Sequence, residues 1–152
     1  MQDVAILILN EFFDWKGLDK LSNKEVVIND KKVTLYYESN YSSKVNGLLI
    51  SSIIKTITTN WKEIEVTARN EYNHHLYEVI GEGDKPNKLE EDNFIDELEP
   101  VSCMIYFLHK NDEYDGFSLD LAGEKLQKRL GRRLEVEFNS QGELENDYFV
   151  VR

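Results

Sequence analysis

The sequence predicts an α+β fold: a single domain over residues 1–152, with a mostly antiparallel sheet covered on one face by a helical pair. Three observations lead there. Strand-forming runs dominate before residue 40 and after residue 100, a helical period runs between them, and no shift of composition marks a linker. A chain of 152 residues can bury about two thirds of its unfolded surface, enough for one core.

Taken in order, DVAILILNEFFDW (Asp3–Trp15) reads as a strand, with a short helix as the alternative. EVVIND and KKVTLYYES follow as two β-rich runs around Asn29-Asp30, a hairpin signal without the usual glycine. Tyr36 and Tyr37 fall on opposite faces of the second run, so one is expected in the core and the other at the surface. From Tyr41 the period changes. Ser42 or Ser43 is the candidate N-cap, and Val45, Leu48, Leu49, Ser52, Ile53, Thr56 and Ile57 trace a helical stripe. Asn60 with Glu63 forms a candidate capping box for a second helix carrying Trp61, Ile64, Ala68, Tyr72 and Val79, which Gly81, Gly83 and Pro86 end.

A polar loop (81–91) and one helical turn (Asn93–Leu98) lead to the organising stretch, Val101–Leu121. VSCMIYFLH is a nearly unbroken apolar run, as in a strand buried on both faces. KNDEYDG is its acidic turn, and Phe117, Leu119 and Leu121 alternate with Ser118 and Asp120. A short helix from Glu124 to Leu130 then meets Gly131 at its C′ position. Arg132–Phe138 alternates cleanly, NSQG places Gly142 for a positive φ, and Tyr148–Val151 is the closing strand.

Charge is the strongest compositional signal. The net −11 disfavours nucleic acid and anionic membrane as partners, because both require a positive footprint. It favours basic proteins. Residues 82–99 hold eight acids against Lys85 and Lys88, or −6 of that total, and Asp112, Glu113 and Asp115 follow in the hairpin turn. If the two stretches meet, they form one acidic patch with an aromatic anchor. The candidate partner-binding residues are Asp92, Phe94, Asp96, Glu97, Asp112, Glu113, Tyr114 and Asp115. The five cations between Lys125 and Arg133 are expected to pair with Glu135, Glu137 or this belt.

Chemistry-bearing motifs are absent: no G-x-S-x-G, P-loop, H-E-x-x-H, C-x-x-C or G-x-G-x-x-G occurs. Cys103 lies inside an apolar run and reads as a small buried hydrophobe. Glu71, His74 and Glu78 share one helical face as metal ligands could, yet no second Glu-x-x-His completes a set, so neither metal nor cofactor is expected. Val4–Leu9 is too short to span a bilayer and lacks a basic leader, so a cytoplasmic location is expected.

Together, DWKGLDKL, EVVINDKKVTLYY, NGLLISSIIKTITTNWKEI and IYFLHKNDEYDGFSLDL resemble the small acidic bacterial immunity proteins of contact-dependent inhibition and related polymorphic toxin systems. The resemblance implies a cytoplasmic, non-catalytic inhibitor of one cognate toxin domain, often basic and often a nuclease. It transfers no individual residue. The alternatives are a small enzyme assembled around Tyr72, His74, His75 and Glu78, or an interaction subunit unrelated to toxins.

Overall fold

The structure, a computed structural model, describes residues 20–74, 96–124, 127 and 131–151. The expected first strand (Asp3–Trp15), the loop over 81–91 and the stop signal at Gly81 lie outside them. Among the described residues six strands form one sheet in sequence order: β1 (Leu21–Ile28), β2 (Lys31–Glu38), β3 (Glu99–Phe107), β4 (Tyr114–Ala122), β5 (Arg132–Asn139) and β6 (Leu144–Val151). The described part of the connection from β2 to β3 holds two α-helices, α1 (Gly47–Thr59) and α2 (Trp61–His74). Every neighbouring pair is antiparallel except β2–β3. That exception follows from the helical crossover, which carries the chain back to start β3 in the same direction as β2.

Asn29 and Asp30 both take positive φ (51° and 63°), the backbone of a two-residue hairpin turn whose twist matches the strands. Asx residues tolerate this region, so the turn forms without glycine. On β1, an edge strand among the described residues, Lys24 is exposed. Its Nζ donates to the Val45 carbonyl at 2.9 Å and sits 5.9 Å from the Tyr37 ring centroid. A lysine on an edge strand blunts pairing with a foreign strand.

α1 starts later than the serines suggest. Ser39–Tyr41 is a turn of 3₁₀ helix, and the cap is Asn46, whose Oδ1 accepts the Leu49 N–H at 3.0 Å. The buried stripe is correspondingly rotated: Ile53 and Ile57 are buried with Leu49, Ile50 and Ile54 beside them, whereas Leu48 is 84% exposed. Asn60 also differs from expectation. Its side-chain amide donates back to the Thr56 carbonyl at 2.8 Å, closing α1, while its own carbonyl accepts the Ile64 N–H that begins α2.

The core lies between the helices and one sheet face. Val33, Leu35, Cys103, Ile105, Phe117, Leu119, Leu121, Leu134, Val136 and Phe138 meet Ile53, Ile57, Ile64, Ala68 and Tyr72 there. Tyr36 and Tyr37 point to opposite faces as expected, but neither reaches the surface; they are 2% and 3% exposed. The face of β2 turned away from α1 and α2 is buried too, with Tyr36 beside Met104 in the β2–β3 register. Ser102, Ser118 and Asp120 are buried polar residues of these central strands. In β3, Val101 is the extra residue where the register shifts between Pro100 and Ser102. Such bulges are among the few places where a sheet accommodates proline.

β6 begins four residues before the expected Tyr148. Gly142 takes φ +80° in the β5–β6 turn and Gly131 takes φ +63°. Bonds from Gln127 N–H to the Gly123 carbonyl and from Gly131 N–H to the Gln127 carbonyl mark the helical turn that Gly131 ends.

Candidate functional site

The β3–β4 turn is anchored to the rest of the domain by its own acid. The Tyr41 hydroxyl donates to Asp112 Oδ1 at 2.9 Å, and Lys44 Nζ donates to the Asp112 carbonyl at 2.6 Å. Tyr41, 4% exposed, stacks on Phe107 with centroids 4.4 Å apart, and His109 Nε2 meets Glu38 Oε1 at 2.8 Å. Burial and the Asp112 carboxylate both push the Tyr41 phenol above its ordinary pKa. Tyr41→Phe is expected to destabilise the domain by about 1 kcal/mol and to lower Tm by about 3 °C, measured by calorimetry.

Two candidate contact residues also have partners within the domain. Asp112 is spoken for by Tyr41, and the Tyr114 ring is half-buried, edge-on to Phe107 at 6.1 Å and packed against the core. Burial pushes its phenol well above the ordinary range. The sequence ranked Tyr114 as an exposed anchor because it stands among acids; its position at the first residue of β4 turns it inward instead. Glu113 and Asp115 remain exposed at this end.

The acidic stretches do not form one patch among the described residues. Asp96, Glu97 and Glu99 sit at the beginning of β3 and the turn at its end, which at about 3.3 Å per residue separates them by roughly 26 Å. Asp92 and Phe94 lie outside the described residues. Each end instead has its own cleft. An open cleft of about 710 Å³ is lined by Asp96, Glu97, Glu99 and Glu124, with Arg133. The main chain of Glu97 packs against Gly123, 3.5 Å from where a Cβ would stand. Near the other end, a cleft of about 290 Å³ is lined by Asp115, Glu137, Glu145 and Tyr106. Glu99 pairs with Lys31 at 3.2 Å. Arg133 reaches the buried Asp120 carboxylate at 3.2 Å, rather than serving only the belt or the β5 glutamates.

Two of the four residues of the enzyme alternative, Tyr72 and His74, are described, and they point different ways. Tyr72 is a core residue at 3% exposure, whereas His74, about 200° further round α2, is exposed. His75 and Glu78 lie outside the described residues. Among the described residues no group of three His, Cys, Asp or Glu side chains could hold a metal ion. Cys103 is buried, and burial together with the neighbouring Asp120 charge pushes its thiol far from the thiolate form. Glu124 and Tyr106 escaped the sequence reading, which took Arg133 only as one cation of a basic run. Nothing in their local pattern places these residues, and only the pairing of β3, β4 and β5 brings them to the clefts.

Comparison with protein-family models, with curated proteins and with solved structures finds no match. No described helix is long and apolar enough to cross a membrane.

Proposed function

We propose that this chain is a cytoplasmic immunity protein that binds and neutralises a basic bacterial toxin domain, with no chemistry of its own. The observation that carries the reading is the placement of acids at both ends of a rigid sheet. Asp96 and Glu97 line the larger cleft, Asp115 lines the smaller, and Glu113 stands exposed between Asp112 and Tyr114. With a net charge of −11, such a surface steers a basic partner into encounter, and the clefts admit Arg and Lys side chains. Asp92 and Phe94 stay candidates on the sequence alone and lie outside the described residues. Asp112 and Tyr114 support it indirectly, by holding the turn that presents Glu113 and Asp115.

The test begins with the gene immediately upstream. The reading expects it to encode a large secreted protein whose C-terminal domain arrests growth, and co-expression of this chain to restore growth. Association of the purified pair should slow by about tenfold or more between about 50 mM and 300 mM salt. Reversing Glu113 and Asp115 to Lys should slow it several-fold further without changing Tm by more than about 2 °C. Absence of rescue, or association indifferent to salt and to the reversals, would overturn the reading.

A further inference from the structure

The face of the sheet turned away from α1 and α2 has a gap in one row of side chains. Tyr106 of β3, Gly116 of β4 and Asn139 of β5 are partners in the register, and residues opposite one another in antiparallel strands share a face. Phe117 and Phe138 belong to the core, so the row beside them points the other way. Gly116 adds no side chain to it. A Cβ there would stand 2.1 Å from the Phe138 carbonyl oxygen, so the gap sits where only glycine lets β4 and β5 pair. Tyr106 and Asn139 therefore stand on either side of roughly 10 Å of bare backbone.

The smaller cleft, about 290 Å³, opens at this gap, with Tyr106, Asp115, Phe117 and Asn139 around it. Tyr106 is 37% exposed, and its hydroxyl is held by the Ser118 hydroxyl at 3.2 Å. That leaves a fixed aromatic wall partly open to the cleft. Asp115 and Glu145 are exposed at the rim. Asn139 Nδ2 donates to Glu145 Oε1 at 3.1 Å, which places that carboxylate without neutralising it. The described lining residues include no Lys, Arg or His. The volume falls just below the roughly 300 Å³ at which pockets begin to take drug-sized ligands, so it suits one long side chain. Among the described residues no three acids converge to hold a metal ion, which leaves an extended cation as the fitting occupant.

We propose that this slot beside Gly116 receives the guanidinium of an arginine side chain, between the Tyr106 ring and the Asp115 and Glu145 carboxylates. A guanidinium is flat, is weakly hydrated and stacks on aromatic rings, and its forked donors can be divided between two separated carboxylates. The ammonium of lysine is compact and strongly hydrated, so it gains less from the tyrosine. The assignment deepens the proposed function by naming an arginine of the toxin as the group received. It rests on that reading for the partner, and on the slot alone for the guanidinium.

The experiment titrates the protein with N-acetyl-arginine methylamide at about 50 mM salt and follows the backbone amides by NMR. Shifts should centre on Tyr106, Asp115, Gly116, Asn139 and Glu145 and saturate with a Kd of about 1 to 10 mM. N-acetyl-lysine methylamide should bind about threefold or more weakly. Tyr106→Leu, which keeps apolar bulk, and Asp115→Asn should each weaken the arginine probe by about threefold or more. Asp96→Asn, in the larger cleft, should leave it unchanged. Equal affinity for the two probes would overturn the slot, as would shifts spread evenly over the acids of both clefts; both readouts need only wild type. Arginine binding here by a chain that rescues no growth would leave the slot standing and the immunity reading overturned. Rescue of growth by a chain that does not prefer the arginine probe would overturn the slot alone.

Discussion

Gly116→Ala is expected to be about 3 to 5 kcal/mol less stable than wild type, with Tm lowered by roughly 10 °C. Gly116 lies inside β4, between Tyr106 of β3 and Asn139 of β5. A Cβ there would stand 2.1 Å from the Phe138 carbonyl oxygen and 3.0 Å from the Asn139 Cα. Both are backbone atoms of the next strand, so no side-chain rotation relieves the clash, and β4 and β5 would have to part along their shared hydrogen bonds. The residue also holds φ +123°, a conformation that L side chains adopt only under strain. Chemical denaturation of the two proteins measures the difference. A midpoint shift of less than about 2 °C in the matching thermal scan would show that the close approach is absent.

Leu119→Ala should cost about 3 kcal/mol, within the 2 to 5 typical of a leucine truncated in a core. Leu119 is 0% exposed and sits on β4 between Cys103 and Val136 on the flanking strands. With rigid strands on both sides and the helices above, the site cannot collapse to fill the void. Leu48→Ala makes the contrast. That side chain is 84% exposed, and its loss should change stability by less than about 0.5 kcal/mol. Urea unfolding of both variants checks the pair, and equal losses would mean that α1 is rotated from the orientation described above.

The helices and hairpins were legible because their signals are local. Alternation in Phe117–Leu121 and Arg132–Phe138 places Phe117, Leu119, Leu121, Leu134, Val136 and Phe138 on the core face, and the structure buries all six. The Asn29-Asp30 turn was legible for the same reason. Leu48 was misplaced because a stripe of apolar residues sets a helix phase only once its first residue is known, and Asn46 rather than a serine caps α1. Of the candidate contact surface, the acids could be read as acids, but not which of them are free. Asp112 looks like its neighbours in the sequence and differs only in having Tyr41 beside it, 71 positions away.

By itself the sequence determined an acidic α+β domain with a helical pair over a sheet, since period, turn residues and net charge are properties of contiguous residues. Tertiary structure alone decided that β2 and β3 run parallel, that Asp96 and Glu97 line one cleft and Asp115 another near the opposite end of β3, and that Arg133 reaches the buried Asp120. Each of these depends on strand register and crossover geometry, which pair residues far apart in the chain. The organising stretch, Val101–Leu121, shows both sides. Its alternation foretold the hairpin, but only the backbone of β5 against Gly116 and the Tyr41 hydroxyl on Asp112 reveal what holds it in place.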